Sequence, residues 1–297
     1  MRTTVIGSYP LRYDELGPRA ITRAVEEQIA AGVELVSDGQ TRADMVSAYA
    51  GVLEGTVIKD ISGLNERRMH IVGKVGLQDP SGLVEDYRLA RRTADGRAEV
   101  KAVLTGPVTL AFSSILETGA YKGYRDRSLY LDLSNALLGI ARALEKAGAG
   151  HFQIDEPFFS VGAPMELAQE AVENIATQLA GEVALHVCGD VSKVFDRLLG
   201  FRGVRVLSHG FAGTPANLAL ITREKLEKAG KLLGFGCVDS ASERLETEAE
   251  VRALLTRGVA LAGRENLVTH PDCGLRALPH GLAKAKLEVL CRASESI

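Results

Sequence analysis

The chain has 297 residues, 46% of them hydrophobic and 25% charged. That is long for one ordinary domain but normal for a single α/β barrel with a large core. The formal net charge of -3 removes any global electrostatic case for a nucleic-acid partner.

The opening "MRTTVIGSYP" lacks the apolar core of a signal peptide, and no stretch approaches the ~20 apolar residues of a membrane span. A cytoplasmic protein with no membrane partner is expected. From here β-rich runs recur in chain order: "TTVIGS" (3–8), "ELVSDG" (34–39), "VKAVLTG" (100–106), "HFQIDEP" (151–157), "VALHVCG" (183–189), "VRVLSHG" (204–210), "KLLGFGCVD" (231–239) and "NLVTHPDCG" (266–274). Most are continuously apolar, as strands buried on both faces should be. Amphipathic stretches separate them, such as "AITRAVEEQIAAG" (20–32) and "SLYLDLSNALLGIARALEKAGAG" (128–150). Eight strand–helix units predict a single-domain (β/α)8 TIM barrel spanning 1–297. An open doubly wound sheet fits less well, because no G-x-G-x-x-G follows the first run. The segment 45–98, after the second run, exceeds a normal crossover and contains "MHIVGKVG" (69–76), a candidate small hairpin.

In a barrel the chemistry sits at the strands' C-terminal ends. Those ends carry Ser8, Asp38, Gln40, Thr105, Asp155, Glu156, His186, Cys188, His209, Asp239, His270, Asp272 and Cys273. The opposite ends are bland: Thr3, Glu34, Lys101 and Phe152. One site at one rim follows. Residues i and i+2 on a strand share a face, so His186 and Cys188 can hold one ion. Cys273 ends another strand, and His209 is a candidate fourth ligand. This His/Cys/Cys set suits zinc. Cys237 and Cys291 read as structural. Two thiolates make zinc electron-rich. That is poor for generating a hydrolytic water, but it suits binding a further thiol as thiolate. The ligand set therefore suggests alkyl transfer to sulfur.

The same residues carry a family resemblance. "VIGSYP" (5–10), "DGQTRADMV" (38–46), "LTGPVTL" (104–110), "QIDEP" (153–157), "HVC" (186–188) and "HPDCGL" (270–275) resemble the catalytic C-terminal barrel of cobalamin-independent methionine synthase, in its short form without the large N-terminal domain. The resemblance implies zinc on His186, Cys188 and Cys273. It also implies homocysteine as substrate, its carboxylate on Ile6, Gly7 and Ser8 and its ammonium on Asp155. The family has glutamate where this chain has Gln40, with Asp38 nearby to compensate. Its fourth zinc ligand is a glutamate where this chain offers His209.

After the seventh strand the family carries Asp-x-His, the histidine protonating methyltetrahydrofolate. Here Asp239, the catalytic candidate, is followed by Ala241. An amine leaves poorly without a proton. The expectation is therefore a methylcorrinoid donor, methylcobalamin or a corrinoid carrier protein. The alternatives are methyltetrahydrofolate, with His270 or His280 as acid, and a different thiol acceptor of the coenzyme-M type. A zinc hydrolase or a non-catalytic zinc protein fits the ligand set and the acidic rim less well.

Overall fold

Amphipathic stretches between apolar runs make helices that cover a parallel sheet. The structure, a computed structural model, describes residues 1–10, 17–61 and 66–297. Strand β1 (Arg2–Thr3), helix α1 (Pro18–Ala30) and β2 (Leu35–Val36) come first. The segment between the second and third runs holds β3 (Leu53–Ile61), β4 (Glu66–Leu77) and α2 (Ser81–Ala94). Then follow β5 (Glu99–Val100), β6 (Ala102–Thr105), α3 (Pro107–Ser113), β7 (Ile115–Leu116) and α4 (Arg127–Lys146). The rest alternates: β8 (His151–Asp155), α5 (Met165–Ala176), β9 (Glu182–His186), α6 (Phe195–Leu198), β10 (Val206–Gly210), α7 (Arg223–Ala229), β11 (Leu232–Gly236), α8 (Glu248–Ala262), β12 (Leu267–His270) and α9 (His280–Glu295).

Strands β6, β8, β9, β10, β11, β12 and β1 form one parallel sheet in that order. The ring closes through a bridge from Thr4 to Leu35 and through β2 pairing with β5, which lies one residue before β6. The eight apolar runs are thus the eight staves of a (β/α)8 barrel, as the sequence predicts. The runs at 3–8 and 34–39 contribute only two ladder residues each, because their C-terminal halves turn into rim loops.

The helices are fixed by local chemistry and by their apolar stripes. Asp126 caps α4 by accepting the Ser128 N–H, and Leu133, Leu137, Ile140 and Leu144 line its buried face. Thr247 and Glu250 close a capping box at the start of α8. The segment "MHIVGKVG" is not itself a hairpin. It lies within β4, one arm of an antiparallel pair with β3, to which β7 adds a third strand. Met69, His70 and Ile71 are all buried while Val72 is exposed, so this arm is covered on both sides at its middle. Among the described residues no helix is long and apolar enough to cross a membrane.

Candidate metal centre and active site

Strand β9 ends at His186, and the chain stays paired for one more residue, with the Val187 N–H on the Ser208 carbonyl. This extended path points His186 and Cys188 the same way. His186 Nε2 is 2.9 Å from Cys188 Sγ, which is 3.0 Å from Cys273 Sγ. These three ligand atoms lie within 4.8 Å of one another. Cys273 is held down to about 4 by the hydrogen bond from Cys188, against burial and with help from His186. Cys188 is pushed up, chiefly by that same bond and by burial. The cluster is thus ready to hold a thiolate next to an imidazole. One nitrogen and two sulfurs, partly buried and within ligand distance of a common point, fit zinc by donor chemistry.

His209 does not join them. It is fully buried, its ring packs on Phe195 at 5.8 Å, and its Nδ1–H donates to the Val187 carbonyl at 3.1 Å. Burial lowers its imidazole to about 4. The reason is parity. Ser208, opposite His186 in the β9–β10 register, faces into the barrel, so its neighbour His209 faces out toward the helices. The inward position next to the His/Cys/Cys cluster belongs to Ser208, whose Oγ lies 3.1 Å from His186 Nδ1.

A cavity of about 310 Å³ opens over the cysteines, lined by Ile6, Ser8, Gln40, Asp155 and Arg276 among others. Asp155 is 5% exposed, and its Oδ1 accepts from Gln153 Nε2 at 2.6 Å. Gln153 also donates to the Ile6 carbonyl, and its own Oε1 accepts from the buried Lys101. Burial raises Asp155, while His186 and Lys101 pull the other way. The Gly7 carbonyl is taken by the Ser37 hydroxyl and the Ser8 carbonyl by the Leu275 N–H. Among the described residues none accepts the Gly7 or Ser8 N–H, leaving two donors at the rim.

Gln40 lies over Gly7, where a Cβ would meet its Oε1 at 2.9 Å. Its φ is +49°, an uncommon left-handed value for a non-glycine residue. Arg276 stabilises this turn by donating to the carbonyls of Gln40 and Ala43. Asp38 lies in an adjoining cavity with Gln40 and accepts its N–H at 2.9 Å. Asp239 lies elsewhere, in a cavity with Ser242, Arg244 and Glu246, and its Oδ1 accepts the Ala241 N–H. Cys237 is buried among that cavity's walls and Cys291 within α9.

Glu156 is fully buried and accepts the N–H groups of Val108 and Thr109 at the start of α3, plus the Thr109 hydroxyl. This docks α3 beside the mouth. There Phe112 stacks on Phe158 at 5.6 Å and on Tyr124 at 6.1 Å. Phe112 and Phe158 wall a neighbouring cavity of about 430 Å³ that shares Asp44 with the metal-site cavity.

Residues 11–296 match the model of the cobalamin-independent synthase catalytic domain. The chain belongs to that family. It is 40% identical to the methionine synthase of Methanothermobacter thermautotrophicus, with 99% of both chains covered. It is 33% identical to that of Methanocaldococcus jannaschii, covering 100% and 99%. The solved B12-independent methionine synthase from Shewanella sp. W3-18-1, in complex with selenomethionine, shares the fold. Its TM-score is 0.84 at 24% identity, over 99% of this chain and 96% of that one. As a member of the family the chain is a methyltransferase.

Membership corrects one expectation. A methylcorrinoid donor and a corrinoid carrier protein do not stand for a family described as cobalamin-independent. The expectation rested on Ala241 in place of the acid and on the short form of the chain, and both are weaker ground than a match to that family across nearly the whole chain.

Proposed function

We propose that this chain methylates homocysteine to methionine, with a zinc ion on His186, Cys188 and Cys273 and methyltetrahydrofolate as donor. The observation that carries the reading is the His/Cys/Cys cluster at a cavity that is also lined by a buried carboxylate, Asp155, opposite His186 in the β8–β9 register. Bound zinc would act as a Lewis acid that removes the acceptor thiol's proton at neutral pH. The chain's own groups orient the acceptor. Asp155, held by Gln153, pairs with its ammonium, and the Gly7 and Ser8 N–H groups receive its carboxylate. The flat faces of Phe112 and Phe158 suit a pterin ring, and the apolar mouth keeps water from competing for the methyl group.

Asp155→Asn keeps the shape and removes the charge. Homocysteine binding is expected to weaken by on the order of 2–5 kcal/mol, with zinc content unchanged. The check is a comparison of KM for homocysteine with activity toward thiols lacking an amino group. If those thiols lose as much as homocysteine does, Asp155 is not the ammonium site.

The donor has its own test. Neither histidine named as a substitute acid reaches the cavity: His270 is buried against Ser208 and Pro271, and His280 donates to Glu27 at 2.7 Å. Folate-dependent turnover by the purified protein is therefore expected to be slow. The loop from Asp239 to Ser242 lines a separate cavity, so Ala241→His alone is expected to restore well under the ~10²–10⁴ of a placed general acid. Turnover with methylcobalamin and none with methyltetrahydrofolate would overturn the donor assignment while leaving the acceptor chemistry intact.

A further inference from the structure

His186 meets the sulfurs through Nε2 and Ser208 Oγ through Nδ1. Ser208 Oγ lies 2.9 Å from His270 Nε2, and His270 Nδ1 lies 2.7 Å from the Pro271 carbonyl oxygen. His186, Ser208 and His270 are all no more than 3% exposed, so water does not compete for these contacts.

The chain of contacts has a direction, and its far end sets it. A carbonyl oxygen only accepts, so His270 carries its proton on Nδ1. The Nε2 of that neutral ring is then an acceptor, and the Ser208 hydroxyl donates to it. The Ser208 oxygen in turn accepts from His186 Nδ1–H. His186 Nδ1 is thereby committed to Ser208, and Nε2 is the nitrogen that faces Cys188 and Cys273, where a bound metal would take its lone pair in place of a proton shared with the sulfurs.

The contact between Ser208 and His270 also crosses a strand. Ser208 sits on β10 and His270 on β12, with β11 between them. The β11 residue opposite Ser208 is Gly234. A Cβ there would lie 2.7 Å from His270 Nε2 and 2.9 Å from the Ser208 Cα and Cβ. Only glycine leaves room for the two side chains to touch.

We propose that Ser208 and His270, meeting over Gly234, are positioning residues that lock His186 in its Nδ1–H tautomer and aim its Nε2 lone pair at the metal. This rests on the zinc reading above and adds three residues to it. Ser208 occupies the inward place next to the ligands without being one, so the metal keeps an open position for the substrate thiol.

The test uses the full chain, histidine-labelled with ¹⁵N, free of metal and then loaded with zinc alone. The expected spectrum of the metal-free wild type shows His186 protonated at Nδ1. Competition against a chromophoric chelator is expected to show Ser208→Ala binding zinc about 10–100-fold more weakly. Ser208→Thr, which keeps the hydroxyl, is expected to retain most of the affinity. Gly234→Ala is expected to lose it like Ser208→Ala. Zinc affinity of Ser208→Ala within twofold of wild type, or a metal-free wild type whose His186 carries no proton on Nδ1, would overturn the assignment. A wild type that takes up no zinc would sink the zinc reading instead, and the metal-free spectrum still decides the tautomer.

Discussion

Cys188→Ser or Cys273→Ser is expected to strip zinc from the protein and abolish methyl transfer. A hydroxyl at neutral pH is not a thiolate, and it is a harder, weaker partner for a borderline-soft ion. Apparent zinc binding in four-ligand structural sites is worth about 10–16 kcal/mol, so each ligand carries roughly 2.5–4 kcal/mol, or ~10²–10³ in affinity. With only three protein ligand atoms gathered here, the loss of one leaves two, and no described side chain stands ready as a replacement. His209 faces outward and Ser208 is committed to two histidines. The fold itself should persist, because both cysteines lie on the rim outside the barrel's apolar core. Metal analysis with circular dichroism checks both halves of this expectation. Full zinc occupancy in Cys273→Ser would remove that residue from the site.

The second large effect lies behind the rim. Lys286 on α9 is fully buried, and its Nζ is 2.7 and 2.9 Å from the two carboxylate oxygens of Glu246. It also donates to the carbonyls of Asp239 and Arg244, while Glu246 accepts the Asp239 N–H. One ion pair therefore holds both backbone groups of Asp239 and the loop that carries Ala241. Lys286→Met leaves a buried carboxylate and two carbonyls unpaired. It is expected to cost about 3–5 kcal/mol in denaturant unfolding. Lys286→Met combined with Glu246→Leu is expected to recover much of that, because no unpaired charge remains. The sum is non-additive because the residues touch. A single-mutant loss below about 1 kcal/mol, or a double mutant worse than either single, would show that the pair does not anchor this loop.

The barrel was legible because eight apolar runs spaced by amphipathic stretches leave few other ways to bury every face. The cluster of His186, Cys188 and Cys273 was legible as residue types at strand ends. What failed was facing. A strand buried on both sides has no polar–apolar alternation to mark its inner face, so "VLSHG" reads equally well with Ser208 or His209 inward. Only its register with β9 decides for Ser208. The supporting residues were hidden for a different reason. Lys101 and Gln153 sit at the bland end or middle of their runs, and Arg276 and Lys286 look like ordinary surface cations. Their roles come from contacts across the barrel, such as Arg276 with Gln40, which sequence distance conceals. The hairpin "MHIVGKVG" was misread because its partner strand lies upstream of it.

The barrel wall is stitched unevenly. From β8 to β12 neighbouring strands share three to five paired residues, and all three candidate metal ligands lie on this arc. From β12 through β1 and β2 to β5 the joins are two residues, one bridge and two residues, and the loops after β1 and β2 carry Ser8 and Gln40. Opening a short ladder disrupts fewer hydrogen bonds than opening a long one. The arc that carries the candidate ligands and Asp155 is thus the firmer part of the wall, and the loops bearing Ser8 and Gln40 stand on its shorter ladders.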